Sequence, residues 1–305
     1  RSSPGWDTDP EPIPKGLING MKLKKSLLSR SRRGNVVVYI VLLLMGAFMA
    51  MPLVYTISSA FKPYEEIFLF PPKFFVRNPT LDNFTDLFSS AANSLVPFSR
   101  YIFNSLFIAV VTTVFQIIIA SLAAYPIAKH DFPGKNAYFA LIVTSLLFPA
   151  TATAVPQYIV MANFGVLNTI WAIILPSLGS SMGLFLMKQF METIPFSIIE
   201  AARIDGANEP TILFKLVFPN AKPAWLTLAI FTFQAIWNAS SNNLIFDESL
   251  KQLPTAISEI IAVDATLRAG MGTAASLLLL IPPIVFFIIT QSNVVKTMAF
   301  AGIKE

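Results

Sequence analysis

One charged run stands out in an otherwise apolar chain: Glu200, Ala201, Ala202, Arg203, Ile204, Asp205, Gly206 and Ala207, followed by Phe214 and Pro219. The chemistry open to it is docking. Charged groups on a short helix can pair with charges on a partner surface. Phe196, Ile199 and Ala202 recur at helical spacing, and Pro195 is placed to start a helix there. Gly206 can supply a positive-φ turn, and Asp205 or Asn208 can cap the next helix. Pro210 falls in that helix's first turn, and Ile212, Leu213, Leu216 and Val217 form an apolar stripe. The pattern predicts two short helices joined at a glycine.

A second group of polar residues lies within apolar runs: Asn104, Thr112, Thr113, Gln116, Gln157, Gln234, Trp237, Asn238, Asn242 and Asn243. All are uncharged. No predicted span carries Asp, Glu, Lys or Arg in its middle, which argues against a proton- or sodium-driven carrier. Amides both donate and accept, and an aromatic face packs on the C–H face of a sugar, so these residues suit a polyhydroxylated substrate. The same residue types also make helix–helix hydrogen bonds. The densest cluster is Gln234, Trp237, Asn238, Asn242 and Asn243.

Enzyme chemistry finds little support. His130 is the only histidine and stands between Lys129 and Asp131 in a short polar link, without the partners that metal and triad sites need. No phosphate-cradling G-x-x-x-x-G-K-[ST] run occurs. The chain has no cysteine, which excludes disulfides and thiolate metal sites within it.

The elements that position these groups are membrane spans. Of 305 residues, 54% are apolar and 13% charged, against roughly 25% charged in soluble domains. Mean hydropathy is +0.64. Residues 1–20 read as a flexible tail, and the basic run Lys22–Arg33 precedes an apolar segment read as an uncleaved first span. Six spans are predicted, at about 36–60, 101–128, 138–158, 169–187, 223–246 and 273–295. The domain reading is a cytosolic tail (1–35), a six-span membrane domain (36–295, including the loop 192–222) and a cytosolic tail (296–305). With the N-terminus inside, inner segments hold fifteen Lys and Arg and outer segments six. The net charge of +5 therefore reads as cytosolic loops, with no nucleic-acid partner. Pro126, Pro149, Pro156, Pro176, Pro282 and Pro283 predict kinked or interrupted helices.

The run from Glu200 to Ala207, with Phe214 and Pro219, is similar to the EAA loop of ABC-importer permeases. Its Asp205-Gly206-Ala207 form resembles the carbohydrate branch, whose type is the MalG-like, binding-protein-dependent oligosaccharide permease. The segment around Leu81-Asp82-Asn83-Phe84, the Trp237-Asn238 pair, Leu253-Pro254-Thr255 and the ending Thr297–Glu305 also resemble that family, although Ala239-Ser240-Ser241 depart from its aromatic continuation.

The resemblance implies an all-α integral membrane protein. Six transmembrane helices would carry a cytosolic EAA coupling helix-turn-helix between spans 4 and 5. It implies a permease subunit in a bacterial inner (plasma) membrane, multi-pass, with both termini cytosolic. Glu200, Ala201, Ala202, Asp205, Gly206, Ala207, Phe214 and Pro219 would couple to an ATPase. Asn104, Gln116, Gln234, Trp237, Asn238, Asn242 and Asn243 are candidates for the substrate pathway. The implied partners are a homologous second permease, two ATPase subunits, an extracytoplasmic solute-binding protein, a carbohydrate and membrane lipid. The chain would hold no cofactor, ATP and Mg residing on the ATPases. An importer of peptides or other small solutes is the alternative, and an ATP-independent channel or carrier is a more distant one.

Overall fold

The computed structural model describes residues 32–92, 96–240, 243–263 and 268–301. Among these the regular structure is helical: α1 (Arg32–Ala60), α2 (Tyr64–Ile67), α3 (Asp82–Ala92), α4 (Phe98–Lys129), α5 (Lys135–Ser145), α6 (Ala150–Asn163), α7 (Trp171–Leu178), α8 (Ser181–Glu192), α9 (Phe196–Ile204), α10 (Glu209–Thr211), α11 (Phe218–Asn220), α12 (Lys222–Trp237), α13 (Leu253–Val263) and α14 (Arg268–Ala301). A π-helical stretch, Ile212–Val217, joins α10 to α11, and a 3₁₀ turn, Glu248–Leu250, precedes α13.

The chain divides into two compact units, one ending at Val54 and the other spanning Tyr55–Glu305. The first is the uncharged body of α1, whose Val36, Leu43, Phe48 and Met49 side chains are exposed, as suits a helix solvated by lipid.

Among the described residues, three helical segments are long and apolar enough to cross a membrane: Gly34–Ala60, Phe98–Lys129 and Ala269–Gln291. The pair α7 and α8, bent by 40° between them, makes a fourth if counted as one span. This is an all-α, multi-pass membrane architecture. Three predicted spans have a different local form. The stretch 138–158 is interrupted between α5 and α6 just before Pro149, which lacks an N–H and disfavours helical geometry in Phe148. The stretch 169–187 breaks at Gly179 (φ −85°, ψ 66°), and Ser180 restarts the helix by accepting the Gly183 N–H at 3.0 Å. The stretch 223–246 stops being helical at Trp237, where the polar Asn238-Ala239-Ser240 run begins.

In the second unit, α4 is the common strut. It has 32 residues, so it is about 48 Å long. Two apolar cores lie along it. Toward its N-terminus, Tyr101, Ile108 and Ala109 pack with Ile174, Trp237, Leu253, Ile257 and Met271. Toward its C-terminus, Ile117, Ala120 and Ala124 pack with Met187, Ile199, Ile212, Val217 and Leu228. Small buried residues on α4, including Ser105, Ala109, Ala120, Ser121 and Ala124, let neighbouring helices approach closely. The same logic holds between α8 and α12, where a Cβ on Gly183 would lie 3.1 Å from Leu228 Cδ1.

Candidate functional site

The charged run folds as local preferences dictate. Pro195 (φ −59°, ψ 135°) precedes the first turn of α9. At the other end the Gly206 N–H donates to Arg203 O and the Ala207 N–H to Ala202 O, each at 3.0 Å. This is the paired closure of a Schellman motif, with Gly206 at φ +81° in the left-handed position. A Cβ there would meet nothing within 4 Å, so the demand for glycine within this chain is conformational rather than steric. Asn208 Oδ1 then accepts the Thr211 N–H at 3.0 Å and caps α10. Ile199, Ile212, Leu213 and Val217 are buried, which fastens both arms to the second core. The expected second helix is partly π-helical, a wider local winding than the apolar stripe signals.

The outward surface carries Glu200, Ala201, Asp205, Gly206, Phe214 and Pro219, all exposed, with Ala202 and Ala207 half-buried. Ile204 is 86% exposed. Phe196, Glu200 and Ile204 follow at intervals of four and share one helix face. Ile204 is not among the residues the motif marks; its spacing of four from Glu200 is the signal that places it on this face.

A polar latch joins this element to the end of α4. The Tyr125 hydroxyl donates to Glu209 Oε2 at 2.6 Å. Arg203 donates to Glu209 Oε1, Nε at 3.0 Å and an Nη at 2.8 Å. His130 Nε2 lies 3.4 Å from Glu209 Oε2, and the His130 ring stands edge-on to Tyr125. The Tyr125 hydrogen bond, with the nearby Arg203 guanidinium, holds the Glu209 carboxyl below its ordinary 4.5, against a smaller opposing effect of burial. Beside this latch, Lys129 Nζ donates to Ile194 O at 2.5 Å and Glu192 O at 3.3 Å, satisfying carbonyls at the end of α8. These contacts were not legible in the sequence, because 84 residues separate Tyr125 from Glu209.

The opposite end of α4 holds another polar assembly. Asn104 Nδ2 donates to Ser249 O at 2.8 Å and Lys251 O at 3.1 Å, and the Tyr101 hydroxyl donates to Glu248 Oε1 at 2.7 Å. Lys251 Nζ pairs with Glu248 and Glu259 at 2.6 and 2.5 Å. Burial opposes ionisation of Glu248, but the bonds from Lys251 and Tyr101 outweigh it and lower its pKa. Asn168, at φ 59°, accepts the N–H groups of Phe246 and Asp247 at 2.9 and 2.7 Å and donates its own to Leu244 O.

The uncharged candidates do not converge on one cavity. Asn104 is 1% exposed and bound to backbone carbonyls, a strut rather than a lining residue. Trp237 is also 1% exposed, stacked on Phe233 and donating its indole N–H to Leu279 O at 2.9 Å. It is therefore a core residue with no face free for a ligand. Gln234 and Asn238, one turn apart, lie on an exposed face of α12. Gln234 borders a hollow of about 210 Å³ with Phe233, Pro283 and Phe287. Gln116 borders another of about 410 Å³ with Ser177, Ser180 and Thr232. Asn243 borders one of about 560 Å³, together with Gln157, Tyr158 and Phe246. Asn242 lies outside the described residues. No His, Cys, Asp and Glu grouping suited to a metal ion occurs among the described residues.

The family model for the binding-protein-dependent transport system inner membrane component matches residues 26–299. The chain is 27% identical over 252 residues to the polygalacturonan/rhamnogalacturonan transport system permease protein YtcP of Bacillus subtilis (strain 168), covering 81% of this chain and 85% of that protein. It is 30% identical over 260 residues to the sn-glycerol-3-phosphate transport system permease protein UgpE of Escherichia coli O1:K1 / APEC, covering 84% and 92%. Its fold is similar to a chain in the crystal structure of a bacterial ABC transporter involved in the import of the acidic polysaccharide alginate, with a TM-score of 0.68 and 21% identity, covering 86% and 98%.

Proposed function

We infer that this chain, which belongs to the family of binding-protein-dependent transport system inner membrane components, is the permease subunit of an ATP-driven importer for a carbohydrate, specifically an oligosaccharide. The observation that carries the reading is the family match across residues 26–299, joined to polysaccharide-transport relatives of similar length. The chain is a transport subunit and not an enzyme. In this reading a second permease, two ATPase subunits and an extracytoplasmic binding protein complete the assembly, and ATP with Mg belongs to the ATPases.

The finer reading is six spans in a bacterial inner membrane with both termini cytosolic. The tails are 1–35 and 296–305, and residues 36–295 form the membrane domain. The segments α5–α6 and α12 supply the spans that are individually short. The charge asymmetry of the sequence supports this orientation. So does α4, which separates the 192–222 segment from the 247–253 segment by most of its length. The exposed face of α9, with Glu200 and the Gly206 turn, would seat in a groove of the ATPase. When ATP closes the ATPases, the latch from Glu209 to Tyr125 would pass the movement into α4, and the cavity would open outward to receive sugar.

A second reading takes sn-glycerol 3-phosphate as the kind of cargo, because a relative named for it is 30% identical. Among the described residues, no Lys or Arg lines these hollows, which suits sugar hydroxyls better than a phosphate. Co-purification and uptake test the proposal. The expected result is an ATPase retained with this chain, and ATP-dependent uptake of neutral or galacturonan oligosaccharides by cells that carry it. ATP-independent flux through the isolated chain, or uptake confined to sn-glycerol 3-phosphate, overturns it.

A further inference from the structure

Resting on the carbohydrate reading above, we propose that this subunit has an oligosaccharide-binding subsite of its own, in the hollow between α6 and residues 243–246, read by Gln157, Tyr158, Asn243 and Phe246. The hollow is about 560 Å³, within the roughly 300–1,000 Å³ typical of small-molecule sites. Its wall combines the groups a sugar needs. Gln157 and Asn243 each present an amide that donates and accepts, as a hydroxyl pair requires. Tyr158 adds a phenol, and Phe246, 59% exposed, offers an apolar ring for a C–H face.

Two further observations separate this hollow from the other two. Among the described residues, none is hydrogen-bonded to the side chains of Gln157, Tyr158 or Asn243, so their polar groups remain available to a ligand. In contrast, the hollow beside Gln116 has its Ser177 and Ser180 hydroxyls already bound within the fold, and the one beside Gln234 is otherwise lined by apolar side chains. The wall is also held in place. Asn168 accepts two backbone N–H groups at Phe246 and Asp247 and donates to Leu244 O, which fixes the strip carrying Asn243 and Phe246 before any ligand arrives.

The test uses the full assembly in lipid vesicles, with the second permease, the ATPases and the binding protein. The probes are tritiated malto- and arabino-oligosaccharides, from disaccharide to hexasaccharide. Gln157→Ala and Asn243→Ala are each expected to lower uptake at subsaturating sugar by roughly tenfold, the loss of about one hydrogen bond. ATPase stimulation by sugar-free binding protein reports whether each variant has assembled. Because the chain has no cysteine, Ala154→Cys places one thiol on the exposed rim of the hollow. Maleimide labelling of this chain at that thiol should slow several-fold when sugar, binding protein and MgATP are all present. This second readout decides the matter if an alanine variant fails to assemble. Wild-type uptake in both alanine variants, or labelling indifferent to sugar, overturns the subsite while leaving the carbohydrate reading intact. A wild-type assembly that carries sn-glycerol 3-phosphate and none of the sugars overturns both.

Discussion

The Tyr125 hydroxyl and the Glu209 carboxylate meet at 2.6 Å, tying the last turns of α4 to the start of α10. Arg203, from α9, grips the other oxygen of the same carboxylate. One side chain therefore joins three helices. Tyr125→Phe should lower stability by about 1 kcal/mol, since Arg203 and His130 still attend Glu209. A double-mutant cycle with Glu209→Ala, read by thermal unfolding in detergent, should return a coupling of about the same size. Strict additivity would show that the contact carries no energy. In the assembled transporter, Glu209→Ala should reduce uptake more than ATP hydrolysis.

The same carboxylate sets a pH dependence. Its folded pKa is depressed below 4.5. A depressed carboxylate stabilises the fold fully above its ordinary value, and that contribution fades as pH falls through the folded value. Unfolding midpoints of wild type and Glu209→Gln should differ near about pH 7 and converge as pH falls below the ordinary carboxylate value and through the depressed folded one. A gap that widens on acidification would contradict the assignment.

Gly206 separates conformation from crowding. Its φ of +81° disfavours any side chain, yet the space around it is open. Gly206→Ala should cost roughly 1–2 kcal/mol, and Gly206→Asn distinctly less, because asparagine tolerates the left-handed region. Equal costs would point to contact with a neighbour instead. If the turn docks closely on an ATPase, Gly206→Asn should restore stability but not uptake, and comparing the two measurements distinguishes the cases.

Docking itself should be separable from folding. Glu200 and Ile204 are both exposed, so Glu200→Arg and Ile204→Asp should leave the unfolding midpoint within about 0.5 kcal/mol of wild type. Both should abolish uptake and retention of the ATPase. Normal co-purification with both variants would remove the coupling role from this face.

Gly270 offers a check on packing away from these sites. A Cβ there would fall 2.2 Å from Asn83 Oδ1, and Asn83 also donates to Ala60 O and Lys62 O at 3.0 and 2.8 Å. Gly270→Ala should therefore destabilise by about 1–3 kcal/mol in the same unfolding assay, and a neutral result would mean the Asn83 contacts are easily remade.

What the sequence by itself determined is what acts over a few residues. The left-handed turn at Gly206, a cap at Asp205 or Asn208, the burial of Ile199, Ile212, Leu213 and Val217, and the apolar lengths of α1, α4 and α14 follow from backbone preference and periodicity, the structure selecting Asn208 for the cap. Pro149 was visible as a weak point in the third predicted stretch, though not as the complete break between α5 and α6. Only the tertiary structure decided which polar atom meets which. Trp237 and Asn104 were candidates for the substrate pathway and are enclosed, while Glu209 and Tyr125, unmarked in the sequence, form a latch, and Ile204 lies on an exposed helix face. The physical reason is range. Dihedral preferences and hydrophobic period are written within one or two helical turns, whereas the partner of a polar side chain depends on how helices far apart in the chain pack around α4.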